Sequence, residues 1–110
     1  MNTIVTSRHF KAHESLVEYA RNAIRRLTRI YSGVIKAEVI LSYEKPHKSV
    51  KIAEVNVSVF RSKLSAHEQS ADFHQSIDRA CMKLRVQLRK YKDRLQNKQR
   101  AVVRRAHEKV

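Results

Sequence analysis

The chain has one cysteine, one glycine, one proline and no tryptophan among its 110 residues. A single cysteine cannot build a disulfide framework, so we expect a cytoplasmic protein in a reducing compartment. One glycine excludes the glycine-rich loops that hold phosphates in nucleotide-binding enzymes. No apolar run approaches the roughly 18 residues of a membrane span, and the N-terminus is too short and polar for a signal peptide.

Acidic residues are also scarce. Ten Asp and Glu face 24 Lys and Arg, which gives a formal net charge of +14. Residues 72–110 carry 12 of the basic and only 4 of the acidic side chains. A charge of this size repels itself and destabilises the folded chain unless a partner neutralises it. The composition therefore predicts a polyanionic partner, above all nucleic acid, lying mainly against the C-terminal third.

Two amphipathic helices are predicted from apolar residues at helical spacing. The first begins near Glu14 or Ser15 and runs to about Tyr31, where Gly33 is expected to adopt a left-handed cap. The second runs from an N-cap at Asp72 to Leu95. Its apolar stripe is about 100° wide and consists of Phe73, Ile77, Ala80, Cys81, Leu84, Leu88, Tyr91 and Leu95.

Four strands are predicted from apolar residues that alternate with polar ones. They cover residues 2–7, 34–44, 50–60 and 64–70, with a turn around Pro46 between the second and third. Such alternation leaves one face covered and one face wet, which suits an antiparallel sheet.

The element order βαβββα predicts a single α+β domain over residues 1–95. We expect a two-layer sandwich, in which two helices pack on one face of a four-stranded sheet, as in a double-stranded RNA-binding domain. Residues 96–110 lose the apolar periodicity and carry five basic residues against Glu108 alone. They are interpreted as a flexible basic tail in preference to a frayed continuation of the helix.

Basic residues occupy the side of each helix opposite its apolar stripe. On the second helix one flank holds Arg79, Lys83, Lys90 and Arg94, and the other holds Arg85, Arg89 and Lys92. Few acidic residues accompany them, whereas a merely solvated helix face usually mixes both signs. The pattern favours nucleic-acid binding.

The type of nucleic acid is narrowed by the motifs that the sequence lacks and by the few aromatic residues of the predicted sheet. Zinc-finger spacing, leucine-zipper heptads and a helix-turn-helix pair are missing, which argues against the standard major-groove readers. A sheet that stacks unpaired bases needs neighbouring aromatic residues, but Tyr43 and Phe60 lie on different strands and Tyr43 shares its parity with the core. Folded RNA bound through its phosphates fits best.

The sequence gives little support for a metal-binding site or a catalytic site. The six histidines are scattered, and His9 and His13 fall in a predicted loop. Asp72 is explained by helix capping, and we expect Asp78 to pair with a neighbouring cation such as Arg79. Cys81 lies in the apolar stripe and is expected to be an inert buried thiol. No metal site, cofactor or catalytic residue is predicted, and the chain is not expected to be an enzyme.

Several segments together carry a family resemblance. They are Ser7-Arg8-His9-Phe10, Glu14-Ser15-Leu16, Val39-Ile40-Leu41-Ser42, Asp72-Phe73-His74-Gln75-Ser76-Ile77-Asp78, Lys83-Leu84 and Gln87-Leu88-Arg89-Lys90-Tyr91-Lys92. From about residue 2 to 95 the chain resembles the ribosome hibernation factors, also called sigma-54 modulation or ribosome-associated inhibitor proteins. Ser7 stands where the family usually has glycine, and Phe73-His74 where it has Met-Tyr. The length corresponds to the short form, without the separate dimerisation domain of the long form.

The resemblance implies a stress or stationary-phase inhibitor of translation. Such a protein binds the small ribosomal subunit near the decoding centre and blocks messenger and transfer RNA. It implies a protein that is monomeric when free and contacts 16S-type ribosomal RNA, and it leaves open whether a second small factor assists in pairing ribosomes. Ten residues are predicted to contact the RNA. Three of them, Lys83, Lys90 and Lys92, match the family motif, and the other seven are chosen by helix face and charge. The predicted contacts are Arg21, Arg25, Arg26, Arg29, Arg79, Lys83, Arg85, Arg89, Lys90 and Lys92.

Two alternatives remain open from the sequence. The chain could regulate sigma-54-dependent transcription through protein contacts, as one family name suggests. It could also be a general double-stranded RNA-binding module.

Overall fold

The computed structural model describes residues 2–44 and 50–108, with side chains in that range as far as Gln96. The predicted βαβββα order is confirmed, and the predicted turn around Pro46 lies outside the described residues. The elements are β1 (Asn2–Ser7), α1 (Glu14–Thr28), β2 (Lys36–Tyr43), β3 (Lys51–Val59), β4 (Ser62–Ser70) and α2 (Phe73–Glu108).

The four strands form one mixed sheet in the order β1-β2-β3-β4. β2, β3 and β4 are antiparallel neighbours, but β1 pairs with β2 in parallel, with Asn2 opposite Lys36. The expectation of an antiparallel sheet is therefore wrong for this pair. The physical reason is the connection, because α1 lies between the two strands and carries the chain back to the end where β1 began.

The core lies between the sheet and the two helices. The odd-numbered residues from Ala37 to Leu41 and from Ala53 to Val57 are almost completely buried under the helices. α2 packs on β3 and β4, whereas α1 packs beside α2 and near β1. The helices contribute Leu16, Ala20, Ala23, Ile24, Leu27, Phe73, Ile77, Ala80, Leu84 and Leu88 to this core. Two helices on one sheet face confirm the predicted sandwich.

α1 ends earlier than the sequence indicated. Its last residue is Thr28, Arg29 is the C-cap, and Gly33 has no positive φ. The left-handed glycine cap is therefore wrong. Gly33 is instead explained by a close approach, because a Cβ atom at this position would overlap the ring of Tyr31. That ring packs edge-on against Tyr91 of α2, with 5.6 Å between the ring centroids.

α2 begins as predicted and extends further. The carboxylate of Asp72 accepts a hydrogen bond of 3.1 Å from the backbone N–H of His74, which confirms the N-cap. The backbone stays helical to Glu108, whereas the sequence favoured an irregular tail from residue 96. That segment lacks glycine and proline and is rich in Ala, Gln, Lys and Arg, which are strong helix formers. No helix in the described part of the chain could cross a membrane.

Replacing Gly33 with alanine should lower the free energy of unfolding by about 1–3 kcal/mol, the usual cost of forcing extra volume into a packed site. The backbone at Gly33 is compatible with alanine, so the cost comes from displacing the ring of Tyr31 from Tyr91. Urea unfolding followed by circular dichroism measures the change.

The double variant Tyr31→Ala with Gly33→Ala is the control. Without the ring, Gly33→Ala should be neutral or slightly stabilising, because alanine restricts the unfolded chain. Equal destabilisation by Gly33→Ala in both backgrounds would contradict the close-approach explanation.

Candidate nucleic-acid interface

All the predicted RNA contacts are exposed, and they lie on α1, at its C-cap or on α2, the two helices that share one face of the sheet. The structure does not group them into one uniform patch. Some of them lie between the two helices, some lie beside β4, and the rest lie elsewhere on the helix surfaces. The set comprises Arg21, Arg25, Arg26, Arg29, Arg79, Lys83, Arg85, Arg89, Lys90 and Lys92.

Five of these cations come together between the helices. Arg26 and Arg85 line the same groove from opposite helices. Further along, Arg29 at the C-cap of α1 lines a second groove with Arg89, Lys92 and Asp93 of α2. We call these five cations the inter-helix row. The pairing of the helices thus gathers five cations, with the carboxylates of Asp78 and Asp93 beside them, in two grooves that neither helix could form alone.

Arg79 and Lys83 lie on the other flank of α2, beside β4. The ammonium group of Lys83 forms a salt bridge with the carboxylate of Glu68. A hydrogen bond from Lys83 lowers the pKa of Glu68, and the positive charge of Arg79 acts in the same direction. Because Lys83 forms this ion pair and Arg79 interacts with the same carboxylate, these two cations are weaker candidates for phosphate binding than the inter-helix row.

The remaining three predicted residues do not line these grooves. The guanidinium of Arg25 donates to Asn22 Oδ1 at 3.0 Å and lies 3.7 Å from a carboxylate oxygen of Glu18. Arg21 and Lys90 are exposed on α1 and α2. The structure accordingly does not bring all ten predicted side chains to one site.

Asp78 does not make the ion pair that the sequence suggested. Its two carboxylate oxygens accept the hydroxyl of Tyr19, at 2.7 and 2.8 Å, which joins α2 to α1. This hydrogen bond raises the pKa of Tyr19, and burial adds to the effect. At the start of α2, hydrogen bonds from the ring and backbone of His74 lower the pKa of Asp72. Asp78 therefore joins the two helices, and Asp72 caps α2.

Cys81 lies between the helices near Asp78. Burial, followed by the negative charge of Asp78, raises the pKa of its thiol to about 12. A thiol with such a pKa carries almost no thiolate near neutral pH, so the expectation of an inert side chain is supported. Within the described residues, no group of three or more His, Cys, Asp or Glu side chains is placed to hold a metal ion.

Sequence reasoning missed two residues on α2. The side chains of Met82 and Val86 are 66% and 51% exposed, although both are apolar. They are one helical turn apart, outside the core stripe and among the cations. The available signal was their position, because an apolar residue on the basic side of an amphipathic helix has no core to pack against.

The opposite face of the sheet has a different charge pattern. Its even-numbered residues include Lys36, whose neighbours in a shallow depression are Glu38 and Lys63. Glu54 on β3 lies opposite His67 on β4. Charges of both signs are mixed on this face, so the excess positive charge of the described domain is concentrated on the helices.

Comparison with known proteins agrees with this architecture. No curated protein matches the chain. A ribosomal subunit interface protein from Coxiella burnetii is structurally similar, with a TM-score of 0.76, 25% sequence identity and coverage of 84% of this chain and 99% of that one. The Protein Y N-terminal domain from Thermus thermophilus has a TM-score of 0.73, 27% identity and coverage of 83% and 99%.

A family model supplies the assignment. It matches residues 3–96, which include every element from β1 to the part of α2 that covers the sheet. The matched segment also contains all ten predicted RNA contacts. The chain belongs to the family described as sigma 54 modulation protein / S30EA ribosomal protein.

Proposed function

We propose that the protein binds the small ribosomal subunit through the helix-bearing face of its domain. It occupies the region near the decoding centre, prevents messenger and transfer RNA from binding, and so inhibits translation when cells stop growing. The observation that carries this proposal is the inter-helix row, in which Arg26, Arg29, Arg85, Arg89 and Lys92 line adjoining grooves.

The row is available for an external anion. Asp78 and Asp93 also line these grooves, but among the described side chains none of the five cations forms an ion pair, whereas Lys83 and Arg25 do. Like charges held this close repel one another unless something neutralises them. A phosphate backbone supplies negative charges at regular intervals and releases its counterions when bound. Nucleic acid is therefore the ligand that best neutralises the positive charge of the row.

The comparisons support ribosomal RNA as that nucleic acid. The family description names a ribosomal protein, and the Coxiella burnetii relative is named for a ribosomal subunit interface. The mechanism needs no chemical step. A rigid domain that occupies the path of messenger and transfer RNA inhibits translation by exclusion, in the cytoplasm where ribosomes work. A second small factor then assists in pairing the arrested ribosomes.

Sedimentation tests the partner. The protein is mixed with purified small subunits, large subunits or whole ribosomes at low salt and centrifuged through a sucrose gradient. It should migrate with the small subunit and reduce the binding of initiator transfer RNA to it. A protein that stays at the top of every gradient contradicts the proposal and favours regulation through protein contacts.

The double variant Arg89→Glu, Lys92→Glu should weaken binding to the small subunit by about a hundredfold, because placing like charges against the phosphates costs several kcal/mol. Both residues belong to the inter-helix row. Glutamate is a good helix former, so α2 should persist, as circular dichroism can verify. Filter binding or sedimentation at fixed salt gives the affinity.

The matched control is Lys36→Glu with Lys63→Glu, which changes the net charge equally on the opposite face of the sheet. Its affinity should remain close to that of the unaltered protein. Equal losses in the two double variants would show that net charge, and not the helix-bearing face, determines binding.

Salt provides a separate prediction. If all five residues of the row neutralise phosphates, the logarithm of the affinity should fall with the logarithm of salt concentration with a slope of about −4. The variant Arg89→Glu, Lys92→Glu should have a slope shallower by about 2, because two contacts are lost. Titrations at several salt concentrations measure both slopes, and an affinity independent of salt contradicts phosphate neutralisation.

A further inference from the structure

The groove between the middle of α1 and the middle of α2 has a volume of about 280 Å³. It exists because the helices face each other through small side chains at this level, Ala23 on α1 and Cys81 on α2. Leu27 and Met82 complete its apolar lining. The space suits a single flat group and is near the lower limit of known ligand pockets, which is about 300 Å³.

Met82 gives the groove an exposed apolar wall. Its side chain is 66% exposed and lies next to cations, on a side of α2 where Val86 is the other exposed large apolar residue among the described side chains. A flexible thioether adapts to the shape of a flat ring and makes favourable contacts with aromatic systems. Exposed apolar surface inside a charged interface indicates a ligand that has both an apolar face and negative charge.

Asp78 gives the groove a hydrogen-bond acceptor. Its carboxylate lines the groove and is held in place by the hydroxyl of Tyr19. An ionised carboxylate has about four acceptor positions and donates nothing, so it retains capacity after accepting one hydroxyl. The amino-bearing edges of nucleobases are suitable donors to the acceptor positions that the Tyr19 hydroxyl leaves free, and guanine offers two adjacent N–H groups.

Arg26 and Arg85 give the groove its charge. They line it from opposite helices, and both belong to the inter-helix row. Guanidinium groups bind phosphate oxygens in a bidentate manner. Apolar walls, one acceptor and two flanking guanidinium groups together complement the ring face, the donor edge and the phosphates of a nucleotide.

We propose that this groove binds one unpaired nucleobase of RNA, with guanine preferred. The ring packs on Met82, its amino edge donates to Asp78, and its phosphates bind Arg26 and Arg85. The inference rests on the RNA binding proposed above and adds that the protein distinguishes RNA with an extruded base from a continuous duplex. A protein segment fits less well, because the acceptor and two cations of the groove complement a base and its phosphates.

Four versions of one RNA hairpin test the proposal directly. The stem has a single bulged guanine, a bulged uracil, an abasic bulge or no bulge, and fluorescence anisotropy at fixed salt measures each affinity. The bulged guanine should bind about tenfold more tightly than the abasic bulge, the scale of one base contact. Uracil should fall between them, since it has one N–H for the carboxylate.

Substitutions in the groove test whether it is the source of the preference for a bulged base. Met82→Ser should remove the advantage of either base over the abasic bulge, and Asp78→Asn should remove the advantage of guanine over uracil. Val86→Ser is the matched control, because Val86 is an exposed apolar residue on α2 outside the groove lining. It should leave both preferences unchanged.

A local signal comes from the methionine methyl groups, since the chain has only two methionines, Met1 and Met82. In a protein with ¹³C-labelled methionine methyls, a base on Met82 should shift that resonance upfield through its ring current. The abasic hairpin should not produce this shift, and the spectrum of Met82→Ser assigns the signal.

The outcomes separate this inference from the proposed function. Equal affinity for all four hairpins, or a preference that survives Met82→Ser, overturns the inference, while sedimentation with the small subunit decides the function independently. If Met82→Ser weakens subunit binding but the hairpins bind equally, the groove holds a protein segment and the inference is wrong. A bulge preference without subunit binding supports the inference and overturns the proposed function.

Discussion

Burial of the α2 stripe against β3 and β4 determines where the cations of that helix point as far as its last described side chains. Leu84 and Leu88 are fully buried, so the rotation of the helix about its axis is fixed. Arg85 and Arg89 then necessarily turn toward α1, while Lys83 turns toward β4. The binding surface is thus a consequence of core packing, and any change that rotates α2 redistributes its charges.

The same packing brings like charges together at an energetic cost. The inter-helix row gathers five cations along two helices, and its grooves hold only two carboxylates, Asp78, which accepts the hydroxyl of Tyr19, and Asp93. A helix pair optimised for stability would alternate signs across the contact. This local conflict between charge and stability is what physical reasoning expects at a functional surface.

Much of the fold was predictable, because alternation and helical spacing report burial directly. Val55 and Leu84 were placed in the core from sequence alone, and both are fully buried. The parallel pairing of β1 was not predictable, since it depends on the crossover through α1. The candidate cations were also found by face and charge, but their grouping depends on which flank of α2 meets α1. The salt bridge of Lys83 with Glu68, 15 positions apart, carries no local signal.

The parallel pairing of β1 also has a consequence for the order of assembly. β3 and β4 meet through a tight turn with Val59 opposite Ser62, whereas pairing β1 with β2 brings together residues as distant as Asn2 and Lys36. Contacts between distant residues form late, because the loop entropy must be overcome first. We therefore expect β2, β3, β4 and α2 to form a nucleus onto which β1 and α1 dock last. The part of the proposed RNA-binding surface that α1 carries then lies on the elements that dock last, so it belongs to the more easily opened part of the domain.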